Sequence, residues 1–102
     1  MRLVVRPQFY LDIEEEVLWL LEHLGGELAQ RWHDAVWKTA QFLMEHPFIG
    51  RERLDIKHPG VRSWRVTDFR RWLIFYGVRE SDLILYRVCS GTMNLAKLEM
   101  RS

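Results

Sequence analysis

Four arginines, Arg62, Arg65, Arg70 and Arg71, lie close together in the chain, and Trp64 stands among them. A guanidinium presents a planar fork that matches phosphate and carboxylate and also stacks on an indole face. Such a set suits a surface that grips an anionic partner; the competing reading is a solvated sheet face. Arg87 lies inside an apolar segment, where a charge is expected to be paired. Cys89, the single cysteine, follows Val88 with no base beside it in sequence, so core packing is its expected role and an intramolecular disulfide is excluded. His23, His33, His46 and His58 contain no pair four residues apart and have no cysteine partner, so they do not read as a metal site. No glycine-rich phosphate loop is present, and no cofactor is expected.

These residues need a scaffold, and the hydrophobic periodicity supplies one. Residues 2–6 read as a first strand ending at Pro7. Phe9, Ile13, Val17, Leu20 and Leu24 then recur at helical spacing, with Asp12 and Glu14 to Glu16 expected in the first turns, where the helix dipole favours acids. Gly25-Gly26 stops this helix, and a second follows on Leu28, Trp32, Ala35, Val36, Thr39, Phe42 and Leu43 until Pro47. The short connection makes the two an antiparallel hairpin. Trp37 lies off the second helix's main stripe and is a candidate contact residue. Residues 48–59 read as a connection of mixed charge.

Three strands follow, at Val61 to Thr67, Trp72 to Val78 and Leu83 to Cys89. The first alternates Arg62, Trp64 and Val66 against Val61, Ser63 and Arg65, so Arg62 and Arg65 leave on opposite faces unless a bulge intervenes. The second is apolar on both faces and therefore central. The third sets Ile84, Tyr86 and Val88 against Leu83, Leu85 and Arg87. Residues 68–71 and 79–82 read as turns, which places Arg70 and Arg71 in a solvated turn and pairs the strands as an antiparallel meander. Arg62 is expected to reach an acid of the first helix. The tail, Met93 to Met100, reads as a short helix or a further strand. The fold class is α+β, with an N-terminal strand, a helical hairpin and a three-stranded meander, and both helices on one sheet face.

Composition agrees with one domain over residues 1–102: 48% apolar residues, 28% charged, five tryptophans and no apolar run long enough to span a membrane. The net charge of +1 conceals an asymmetry. Residues 1–50 hold four basic against eight acidic residues, and residues 51–71 hold seven against three. A dipolar domain of this kind suits orientation on a charged partner. The lone cysteine and the missing signal segment point to the cytoplasm.

The order strand, helix, helix, meander resembles the RelE/ParE superfamily of bacterial type II toxin–antitoxin systems. The resemblance is carried by Trp19-Leu20-Leu21, by Leu43 to Gly50, by Gly60-Val61-Arg62-Ser63-Trp64-Arg65-Val66, by Leu73-Ile74-Phe75-Tyr76 and by Leu85-Tyr86-Arg87-Val88. The last two are closer to the ParE-like branch. That branch implies a toxin without a catalytic centre that binds and inhibits DNA gyrase or another topoisomerase and is neutralised by a cognate antitoxin. Its contact residues here would be Arg62, Trp64, Arg65, Arg70, Arg71 and Trp37.

The RelE-like branch implies a ribosome-dependent endoribonuclease acting on mRNA. Cleavage through a 2′-hydroxyl needs a proton acceptor, a proton donor and cations around the phosphorane-like transition state. The chain departs from that pattern: Leu73 stands where the branch has an arginine, and Ser90 to Ala96 contains no Arg, His or Tyr. A nuclease would have to use Arg62, Arg65 and Arg87 as cations with His58 and Tyr86 as proton carriers. A third reading is a non-toxic orphan member that serves as a protein-binding module.

Overall fold

The computed structural model describes residues 1–91. The tail read as a helix or strand lies outside them. The described elements are β1 (Arg2–Val5), α1 (Pro7–His23), α2 (Gly26–Glu45), β2 (Arg51–Glu52), β3 (Arg62–Val66), β4 (Phe69–Arg79) and β5 (Asp82–Ser90). The strands form one sheet in the order β1-β5-β4-β3-β2; β1 runs parallel to β5, and the remaining pairs are antiparallel. The helical hairpin covers one face, and β4 is central, as its two apolar faces required.

Pro7 ends β1 because it cannot donate to a ladder, and its fixed φ opens α1. This early start corrects one expectation. The first turn of α1 carries no acid, and Asp12 falls in the second turn, where it is buried. Gly25 separates the helices at φ 98°, a left-handed conformation that any side chain would strain. The start of α1 then lies beside the middle of α2, with the Phe9 and Trp37 rings edge to face at 5.7 Å.

Two irregularities in the sheet override simple alternation. β3 and β4 are joined by Thr67 and Asp68 alone, with Asp68 at φ 68°, a conformation aspartate tolerates better than most residues. The turn is therefore shorter than expected, and Arg70 and Arg71 belong to β4. The pairing jumps from Val66↔Phe69 to Arg65↔Leu73, so these arginines occupy a bulged stretch and remain exposed.

The second irregularity lies in β5. Tyr76 pairs with Leu85 but Phe75 with Arg87, which leaves Tyr86 as an extra residue. Beyond this point the faces exchange. Leu83, Leu85 and Val88 join the helix-side core, while Ile84, Tyr86 and Cys89 pack on the other face. The expected grouping of Ile84, Tyr86 and Val88 is thus split by one inserted residue, because the side-chain period of a strand is two.

The helix-side core is built on Phe9, Trp32, Val36, Leu43, Ile74 and Tyr76. On the opposite face, Ile56 and Val61 cover Phe75, Tyr86 and Cys89, so the 53–61 connection acts as a partial lid over the sheet. The two-residue β2 was not expected from sequence. It pairs Arg51 with Ser63 and Glu52 with Arg62, extending the sheet beyond β3.

Candidate interaction surface

Arg87 is paired, as an arginine inside a strand must be. Its Nε donates to Asp12 Oδ2 at 2.8 Å and its Nη2 to Asp12 Oδ1 at 3.0 Å. The same carboxylate accepts the Val88 backbone N–H at 3.1 Å and the Gln8 amide at 3.1 Å. The origin is topological. β1 pairs with β5 only as far as Leu85, and the chain then turns into α1. Asp12 takes over as acceptor for the edge of β5 where β1 has ended. The neighbouring carboxylate holds the Arg87 guanidinium above its usual pKa range.

Arg62 does not reach the first helix. Its Nη1 donates to the carbonyls of Gly50 at 2.8 Å and Phe48 at 3.3 Å, and its guanidinium lies 5.3 Å from the centre of the Phe48 ring. The segment leaving α2 runs into β2 alongside β3 and offers its carbonyls there. Tyr76 completes this clamp: its hydroxyl donates to Pro47 O and accepts from Gly50 N–H, both at 2.9 Å. A Cβ at Gly50 would sit 2.5 Å from that hydroxyl, so only glycine fits. Burial pushes the Tyr76 phenol pKa up, against the Gly50 N–H and the positive Arg62.

The exposed cations lie along β3 and the bulged start of β4. Trp64 stacks with Phe42 at 6.1 Å, and the Arg65 guanidinium lies 4.7 Å from the Trp64 ring centre. With Arg70 and Asp68 they line a cavity of about 400 Å³ at the hairpin end of the sheet. Aromatic faces capped by arginine form a ledge suited to a flat or anionic partner group. Arg71 is exposed on the same bulged stretch. Trp37, in the middle of α2, is half-buried against Phe9 and Tyr10 at the start of α1.

The five cationic and proton-carrying candidates do not converge. His58 and Tyr86 meet on the sheet face away from the helices, with ring centres 5.3 Å apart. Arg87 is on the α1 side with Asp12, Arg62 is held by the 48–50 carbonyls, and Arg65 is on the ledge. Cys89 is buried, and desolvation lifts its thiol pKa to about 12, which fits packing and not nucleophilic work. Among the described residues, no group of three or more His, Cys, Asp or Glu side chains could hold a metal ion, and no helix is long and apolar enough to cross a membrane.

Sequence reasoning missed Asp12 and Tyr76. The signal for Asp12 was present: an acid three residues after Phe9 and one before Ile13 sits on the buried stripe and needs a partner. It also missed the outer face of α1, where Leu11, Leu18, Trp19 and Leu21 are each about half exposed among acids.

Across residues 3–95 the sequence matches the ParE toxin family of type II toxin–antitoxin systems, parDE, and the chain belongs to that family. It is similar to Toxin ParE3 of Caulobacter vibrioides, at 27% identity over 85 residues, which is 83% of this chain and 81% of the relative. Its fold is also that of a chain from the chromosomal ParDE TA system of P. aeruginosa. That match has a TM-score of 0.75 and 17% identity, and covers 88% of this chain and 95% of the other.

Proposed function

We propose that this chain is a single-domain toxin that acts in the cytoplasm by binding DNA gyrase or a related topoisomerase, and that a cognate antitoxin neutralises it. Family membership supports the toxin role. The observation that favours binding over catalysis is the dispersal of the candidate cations. Arg87 is tied bidentately to Asp12 and Arg62 to two carbonyls, so both serve the fold. Arg65 and Arg70 face outward beside Trp64, on a ledge that includes neither His58 nor Tyr86. A transition state for RNA cleavage needs cations and proton carriers around one phosphate; here Arg87 is held by Asp12, Arg62 by the Gly50 carbonyl, Arg65 beside Trp64, and His58 against Tyr86.

The test is a supercoiling assay with purified gyrase and this protein, run beside a ribosome-bound mRNA cleavage assay. Inhibited supercoiling with intact mRNA is the expected result. Cleaved mRNA with unaffected gyrase would replace this reading with the endoribonuclease. Normal growth on induced expression of folded protein would leave a non-toxic binding module. Within the binding reading, Arg65→Ala and Arg70→Ala together weaken gyrase inhibition without lowering the melting temperature, because neither side chain serves the core.

A further inference from the structure

A second cavity, of about 450 Å³, opens between α1 and the end of β5. Its walls include Trp19 and Trp72, and its rim carries Asp12, Glu15, Glu16 and Arg87. Asp12 and Arg87 neutralise each other. Glu15 and Glu16 remain; neither makes a hydrogen bond or close ion pair among the described residues, and Glu15 feels Arg87 only at longer range. Among the described residues the cavity is therefore net anionic, unlike the Arg65 ledge. Glu16 is partly withdrawn from water, and that withdrawal raises its pKa. A carboxylate held there without a cation loses hydration and gains nothing in exchange.

The walls are built for a cation as well. Trp19 is half exposed yet held in place: His23 stacks on it at 4.4 Å and 13°, with its Nδ1 2.8 Å from the Trp19 carbonyl oxygen. Trp72 is fixed from behind by the edge of Trp32 at 5.2 Å. Two indoles backed by ring contacts, beside Glu16 and Glu15, match a planar guanidinium, which stacks on an indole and forks onto a carboxylate. Leu18, about half exposed next to Trp19, continues the surface along α1 and gives a polypeptide backbone somewhere to lie.

We propose that this cavity is a socket for an arginine side chain presented by a partner polypeptide. Taking that polypeptide to be the antitoxin rests on the function proposed above; the chemistry of the socket does not. The acidic first half of the chain offers its cation site here, while the basic ledge stays free for a partner of opposite charge.

The experiment has two arms. In the first, N-acetyl-arginine N-methylamide is titrated into ¹⁵N-labelled protein while the five indole N–H signals are followed. Saturable shifts at Trp19 and Trp72, absent with the isosteric citrulline compound and weakened roughly tenfold in Glu16→Gln, are expected for loss of a charge-assisted contact. Glu15→Gln gives an independent reading should Glu16→Gln disturb the helix, which its melting curve would reveal. Absent shifts, or equal shifts with citrulline, overturn the socket.

In the second arm, the product of the adjacent reading frame is co-expressed and its affinity for wild type and Glu16→Gln is measured. Growth rescue with affinity roughly tenfold lower for the variant supports the proposal. Rescue with unchanged affinity overturns it. If no adjacent product rescues growth, the antitoxin reading fails, and the first arm still decides the socket.

Discussion

Asp12 is the acceptor on which the junction of α1 and β5 depends, and its removal is the sharpest test of that account. The two side chains of the pair are only 6% and 14% exposed, for Asp12 and Arg87 respectively. Asp12→Ala leaves a buried guanidinium without its counter-charge, which costs about 3–5 kcal/mol. It also strips the Val88 N–H of its acceptor, adding about 1–3 kcal/mol. Against a total stability of about 5–15 kcal/mol for a domain of this size, the variant is expected close to unfolding at 25 °C. Arg87→Met leaves the carboxylate unpaired but keeps the Val88 contact, so about 3–5 kcal/mol is expected.

The double variant separates the terms. With both charges gone, mainly the unsatisfied Val88 N–H remains, so Asp12→Ala/Arg87→Met is expected to lose only about 1–3 kcal/mol. It should therefore be more stable than Asp12→Ala alone. The assay is urea unfolding at pH 7 of all four proteins, with the slope checked for constancy. A loss below ~1 kcal/mol for Asp12→Ala, or a double variant that loses the sum of the singles, would refute the reasoning.

Tyr76→Phe removes the hydroxyl that joins Pro47 O to Gly50 N–H, and a loss of about 1–3 kcal/mol in the same urea assay is expected, with Gly50→Ala at least as damaging because its methyl has no space. Cys89 is expected to resist iodoacetamide at pH 8 in the native protein and to react fully in about 6 M guanidinium; rapid native labelling would contradict its burial and its pKa of about 12. Because that value lies above the ordinary thiol value of 9.0, folding favours the protonated thiol, and the corresponding stability is lost as pH rises from 9.0 toward 12. Arg53 holds the Asp55 carboxyl at about 2, below its ordinary 3.8, so that pair contributes above 3.8 and fades as pH falls through 2; Asp55→Asn is expected to flatten this part of the acid-unfolding curve.

The elements themselves were legible because they rest on local periodicity. The stripe from Phe9 to Leu20, the break at Gly25-Gly26 and the two-faced apolar character of residues 72–78 needed no tertiary information, whereas Leu24, expected on the same stripe, lies past the helix end and is exposed. The pairing of Arg87 was legible too, since a charge inside an apolar strand must find a partner. Which partner was not legible: Asp12 lies 75 positions away, and only the end of β1 brings α1 to that edge of β5.

The same division holds for the surface. Sequence alone determined that residues 51–71 are basic, that residues 1–50 are acidic, and that one small α+β unit carries both. Tertiary structure decided what each charge does. The short turn at Asp68 moved Arg70 and Arg71 into a bulged strand, the extra residue Tyr86 sent Val88 to the core, and the carbonyls of Phe48 and Gly50 claimed Arg62. Each outcome depends on strand register or on the path of a connecting segment. Those are set by the packing of distant residues, and a shift of one position exchanges the faces of a strand.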